Sequence, residues 1–208
     1  MSSTEDFVEA AADPNIVRLY RKDDGGALVF REAWVDEGVT GEDGAWFVLN
    51  HGTVGHQSAT RESETATAEE AFGMLAAFKE QCLADGYAEL GRGEQFLVVA
   101  QFALKNDRVT DRDRYLEEKA REALTAHLAW RGSGIVEKTE FTAGPHGTGK
   151  LNIHILAPDA ARAVANIKVC IREEKLDFTK LSIGTAPAND PGALKARHSP
   201  SGGTAFTL

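Results

Sequence analysis

The chain has 208 residues, 42% of them hydrophobic, which is enough for one large domain or two small ones. No apolar run approaches the ~18–20 residues of a membrane span, and the opening MSSTEDFVEAAADPN is acidic where a signal peptide is basic and then apolar. The net charge of −9 is uneven: residues 1–92 carry 18 acidic against 7 basic side chains and residues 93–208 carry 14 against 16, so the first half repels a phosphate backbone at long range.

In chain order, residues 1–14 form a polar N-terminal segment. Asn15–Lys22 alternates as a strand, Asp23-Asp24-Gly25-Gly26 is a hairpin turn, and Leu28–Val35 returns as a strand rich in Val, Phe and Trp. Glu37–Gly44 reads as an acidic loop and Ala45–Asn50 as a third strand. Gly52 and Gly55 bracket a bend before a further strand at His56–Arg61. Short turns make this an antiparallel meander. A polar loop, SATRESETAT, leads to one helix. Thr67 caps it and Glu70 completes a capping box. Phe72, Leu75, Ala76, Cys82 and Leu83, flanked by Phe78, make its apolar stripe, and Gly86 ends it with Tyr87 packing back on the last turn.

Gly52-x-x-Gly55, Gln57 just after it, the polar loop, the Ala-rich helix and the closing Asp85-Gly86-Tyr87 resemble a WGR domain over residues 15–92. That resemblance implies a sheet with one packed helix, whose Trp-Gly-Arg tripeptide contacts DNA ends or neighbouring domains. The tripeptide position falls on His51-Gly52-Thr53, keeping the glycine. Thr53 offers one hydroxyl where an Arg offers a permanent charge and a fork of donors, and an unperturbed imidazole such as His51 is largely neutral at pH 7. Nucleic-acid contact through this half would therefore use His51, Gly52 and Thr53, aided by Arg18, Arg21 and Lys22 of the first strand, against an acidic background.

Glu89–Gln95 is a glycine-bearing connector. Phe96–Leu104 (FLVVAQFAL) is a near-continuous apolar run, as a central strand shows. Asp111–Leu128 is a helix with Leu116, Ala120, Ala123, Leu124 and Leu128 in one stripe and Asp111 and Asp113 at its positive end. Gly132 and Gly134 precede two strands, Ile135–Thr142 and Leu151–Leu156, joined by a glycine-rich loop. Pro158-Asp159 opens a third helix with Ala163, Ile167, Cys170 and Ile171 inward, and Phe178–Thr185 reads as the last strand. The order β-α-β-β-α-β is that of a ferredoxin-like sandwich over residues 95–186. The run from Gly147 through KLNIHIL to PDAARAVANI also resembles a small bacterial domain of unknown function, whose central hairpin carries a GxG-x-x-N-I element. Residues 187–208, rich in Pro, Gly and small polar residues, read as an irregular tail.

Few features point to chemistry. Gly144–Lys150 has the spacing of a phosphate-binding loop, GxxxxGK, but Leu151 stands where that loop needs Ser or Thr, and a strand follows where it needs a helix. The reading is a hairpin turn. None of the six histidines has metal-ligand spacing, so no metal or cofactor is expected, and no nucleophile–base arrangement emerges. Asn152 and His154 share one strand face, opposite Leu151, Ile153 and Ile155. On the helix-free face of the second sheet they could meet a small ligand. Phe96 and Phe102 are the aromatic residues there that a nucleic-acid-binding sheet would offer. Cys82 and Cys170 fall in separate helices, as buried thiols of a reducing compartment do.

The sequence thus suggests an α+β chain: an antiparallel meander with one packed helix, then a ferredoxin-like sandwich. The function expected is that of a non-enzymatic, cytoplasmic binding or interaction protein of bacterial type, whose partner is another protein or its own second domain. DNA-end binding through the first sheet and small-molecule sensing on the second are the alternatives.

Overall fold

The computed structural model describes residues 15–37 and 44–208. The polar segment 1–14 and most of the acidic loop at 37–44 lie outside the described residues. The chain is α+β, with two antiparallel sheets of four and five strands and three α-helices.

The first sheet is a meander in chain order, β1 (Ile16–Lys22), β2 (Leu28–Asp36), β3 (Ala45–Thr53) and β4 (Ala59–Thr65). Pleating sorts its side chains onto two faces. Ala33, Val35, Ala45 and Phe47, with Val17 and Leu49 beside them, meet Ala71 and Leu75 of α1 (Ala68–Ala84). Tyr20, Phe30 and Val54 cluster with Leu28 and Leu90; Tyr20 and Phe30 are on the face away from α1. The strand expected at His56–Arg61 is the edge strand β4, which begins at Ala59 and runs on to Thr65 through residues that read as a polar loop. Its threonines and serine suit a pleated surface, and its glutamates keep an exposed edge soluble.

Helix α1 begins as its sequence suggests, with the Thr67 hydroxyl accepting from the Glu70 N–H; Glu70 itself reaches back one residue further, to the Ala66 N–H. It ends on two reverse-turn bonds, Tyr87 N–H to Cys82 O and Gly86 N–H to Leu83 O. The inward series is Ala71, Leu75 and Cys82 with Phe78 alongside. Ala76 and Leu83, placed in the stripe from sequence, are exposed instead, because 71, 75, 78 and 82 follow one face more closely. The guanidinium groups of Arg21 and Arg31 stack on Tyr87 and bond Asp85, placing cations at the negative end of the helix.

The second sheet has the order β6-β7-β5-β8-β9: β5 (Phe96–Leu104), β6 (Ile135–Ala143), β7 (Gly149–Ala157), β8 (Leu181–Pro187) and β9 (Lys195–His198). Helices α2 (Asp111–Ala129) and α3 (Ala160–Glu173) cover one face and enclose the larger core, with Phe102, Leu124, Leu151, Ile153, Ile167 and Ile183 fully buried. Phe178–Lys180 is a short 3-10 turn rather than the start of the last strand, since Asp177 caps it. Part of the expected tail is strand β9. Its Arg197 bonds Thr185, and the His198 ring lies 4.8 Å from Phe178.

The sheets meet where α2 ends. An α-helix leaves its last carbonyls without internal donors. Here the bend after β3 supplies them. Gly55 N–H donates to Arg131 O at 2.9 Å, Ser58 N–H to Trp130 O at 3.1 Å, and the Asn50 amide reaches Ala129 O. Gly132 follows with φ +54, a left-handed conformation, and a Cβ there would overlap the Phe30 ring.

Candidate functional site

At the tripeptide position, His51 and Thr53 lie on the α1 face of β3 and Gly52 on the other, where a Cβ would come 3.3 Å from Ser58 Cα. The bend beyond it holds backbone of the second half, so this turn forms the junction between the sheets. Arg18 is not available to a phosphate: it forms a two-pronged pair with Glu32, at 2.7 and 2.8 Å, on the face away from α1. Burial opposes the Arg18 charge, and Glu32 more than restores it, leaving its pKa above the ordinary value. Arg21 shares the His51 face and is engaged with Asp85 and Tyr87; Lys22 is exposed on the opposite side. The six residues do not converge.

On the second sheet, Asn152 and His154 do lie on the helix-free face, but that face is covered. Asn152 is fully buried and His154 is 5% exposed. They belong to a row of bonded polar side chains across three strands. Gln101 Nε2 donates to Asn152 Oδ1 at 2.8 Å, Asn152 Nδ2 to Thr142 Oγ1 at 3.0 Å, and His154 Nε2 lies 2.7 Å from Glu140 Oε1. Burial lowers the His154 pKa, the Glu140 contact only partly offsetting it, so its neutral ring donates to Glu140 from Nε2. Glu140 resists the upward push of burial through bonds from His154 and Lys138, and its pKa is lowered.

The segment after β9 closes this row. Gln101 Nε2 donates to Thr207 O at 2.9 Å, and Lys150 Nζ donates to Thr207 O at 2.6 Å and to its hydroxyl at 3.0 Å. Burial lowers the Lys150 pKa. Beside them the Phe206 ring lies on Gly184, where a Cβ would sit 2.6 Å from a ring carbon. The segment is therefore held by an aromatic side chain on bare backbone and by one carbonyl that takes two donors. Phe102, expected on this face, is fully buried among the helices, because it pairs with Leu151 and Leu181 in the core row.

A second concavity lies at the junction of the sheets. It is a cleft of about 460 Å³ lined by Gln57 of the bend, His127, Trp130 and Arg131 of α2 and its end, Cys170 of α3 and Glu174 just after it. Burial, with Glu174 and Glu173 nearby, pushes the Cys170 thiol up to about 12, so it stays protonated and unreactive. The His127 side chain is 9% exposed, and its Nε2 and the Ser58 hydroxyl are buried without a hydrogen-bond partner among the described residues.

No family model, curated protein or solved structure matches this chain. Its chemistry is therefore read from the sites alone. Among the described residues no three His, Cys, Asp or Glu side chains group as a metal cage, and no helix is long and apolar enough to cross a membrane. The polar row can bind and orient a peptide carbonyl. His154, the one imidazole in it, is already bonded to a carboxylate rather than to a nucleophile.

Sequence reasoning reached Asn152 and His154 and missed Gln101, Glu140, Thr142, Lys150 and the Phe206-Thr207 seat. Gln101 carried a signal, as the lone polar side chain in FLVVAQFAL. A buried amide needs partners, and they had to come from neighbouring strands. The cleft carried none, because its walls come from elements far apart in the chain.

Proposed function

We propose that this chain is a non-enzymatic interaction protein, built from a WGR-like module and a ferredoxin-like domain, whose second sheet takes up an extended peptide across its polar row. The β6-β7-β5-β8 order with two helices on one face supports the ferredoxin-like reading, and the four-stranded meander with α1 supports the WGR-like one. The observation that carries the functional reading is the double hold on Thr207 O by Gln101 and Lys150, with Phe206 seated on Gly184. A ligand that imitates the segment presents an aromatic residue followed by a hydroxyl residue. The chain's own residues 199–208 then compete with the partner. DNA-end binding has less support, since Arg18 is spent on Glu32 and the bend after β3 on α2.

The test uses the full chain with Phe206→Ala, which loosens the resident segment and leaves its seat intact. A fluorescent peptide GGTAFTL should bind this variant about tenfold tighter than the wild type, because the competent fraction of sites rises. Gln101→Leu added to Phe206→Ala should abolish that binding. A folded Phe206→Ala protein with no affinity for the peptide would refute the proposal.

A further inference from the structure

We infer that the cleft at the end of α2 binds a free nucleobase or nucleoside, a planar neutral ring with both N–H donors and lone-pair acceptors on its edge. The inference is independent of the peptide reading, since the cleft shares no residue with the polar row. Its volume, about 460 Å³, falls within the roughly 300–1,000 Å³ of small-molecule sites.

The chemistry of the walls narrows the class. Trp130 is 45% exposed, an indole offered to solvent at the cleft edge. A large exposed ring beside a concavity suits stacking by another flat ring. The polar residues of the lining are of mixed sign and type: Glu174, Arg131, Gln57 and His127. A phosphate or carboxylate ligand would face Glu174, and an ammonium would face Arg131, whose own Nη1 is tied to His127 O at 3.1 Å. A neutral ring with alternating donors and acceptors meets all four.

His127 adds a direction. Burial, then the neighbouring Arg131 charge, lowers its pKa, so the ring is neutral near pH 7. Its Nδ1 lies 3.6 Å from a Glu173 carboxylate oxygen, which favours the tautomer with the proton on Nδ1. Nε2 is then a lone-pair acceptor, and it is buried without a partner among the described residues. Leaving such a group unsatisfied is costly. His127 lines the cleft, and a small turn of its ring would bring Nε2 to a ring N–H or exocyclic amine there. Gln57 stands in the bend that caps α2, whereas the other walls belong to the second half, so the ligand would bridge the two sheets. The chain's net charge of −9 opposes a polynucleotide strand and favours the free ring.

The experiment titrates adenosine, guanosine, cytidine and uridine separately into the full-length protein, reading tryptophan fluorescence and thermal unfolding. At least one nucleoside should quench the fluorescence saturably and raise the Tm, since a ligand bound only by the folded state stabilises it. Trp130→Leu should weaken that nucleoside about tenfold or more, as loss of a stacking face does. It leaves the fold intact, because Ser58 bonds the Trp130 backbone carbonyl and not its ring. Gln57→Ala, an exposed substitution in the bend, should weaken it severalfold. Absence of any response at about millimolar nucleoside, or a response unchanged in Trp130→Leu, would overturn the inference. A single-stranded oligonucleotide that binds more tightly than its nucleoside would overturn the assignment to a free ligand.

Discussion

Gly184→Ala should release the segment that covers the second sheet while leaving the sheet itself unharmed. Gly184 lies in β8 between Val99 and Ala196, and its φ is not in the left-handed region, so alanine fits the backbone. The obstacle is the Phe206 ring, with carbons 2.6 and 2.7 Å from the new methyl. The ring has to leave. Full burial of a Phe contributes about 1.5–3 kcal/mol, and Phe206 is half-buried, so about 1–1.5 kcal/mol is lost from the closed form. At about 1.4 kcal/mol per decade, the open population rises about tenfold. The strand interior gains about 0.5–1 kcal/mol from Gly to Ala, so the Tm should hold or rise. Chymotrypsin under native conditions cuts after Phe206 only in the open form, and its rate follows that population when reclosing is fast. Mass spectrometry of the Thr207-Leu208 loss should therefore run about tenfold faster in the variant. Equal rates would show that Gln101 and Lys150 hold the segment without the ring, and the reasoning would fail. So would a Tm drop of many degrees, which would mean that Gly184 serves the body of the sheet.

Phe30→Ala, at a side chain 1% exposed between the first sheet and Gly132, should cost about 3–5 kcal/mol, read as a shift of the urea midpoint. Arg18→Leu should cost about 3–5 kcal/mol because it strands Glu32, 4% exposed, and the double variant Arg18→Leu/Glu32→Leu should regain most of that loss. If the double variant is as unstable as the single, the pair does more than neutralise itself. Acidification should weaken the fold in two stages. His154 has a lowered pKa, so its contribution is complete above the unfolded value of 6.5 and is lost as pH falls through the lower folded one. The Glu140 contribution is likewise complete above 4.5 and is lost as pH falls through its lowered folded value. Urea midpoints at neutral, mildly acidic and strongly acidic pH should descend in that order, and Glu140→Gln should remove the later stage.

What the sequence disclosed was local. The Thr67 cap, the Gly86 stop, the Asp111–Leu128 helix and the alternation in LNIHIL each depend on neighbours a few residues away, and each could be read. The later half of strand β4, beyond Arg61, was hidden because an edge strand open to water has no apolar alternation to show. The exposure of Ala76 and Leu83 depended on which of two overlapping stripes the sheet would take. Strand β9 is short, and His198 and Arg197 hold it through contacts with Phe178 and Thr185. Asn152 and His154 were placed on the right face, but what closes their row was not legible, since Thr207 reaches Gln101 and Lys150 across more than fifty residues of chain. The junction was the least visible feature of all. It is made by backbone N–H groups of Gly55 and Ser58, which every sequence has.

That junction bears on how the chain is born. The first sheet leaves the ribosome early and can pair its own strands, yet the bend after β3 keeps two backbone donors and Asn50 for carbonyls at 129–131. Until that stretch emerges, the face with Phe30 lacks its cover, and a nascent chain stalled before Arg131 would present it to chaperones. Release of the helix end would then complete both halves at once, so ribosome-bound chains ending before and after this point should differ sharply in protease resistance.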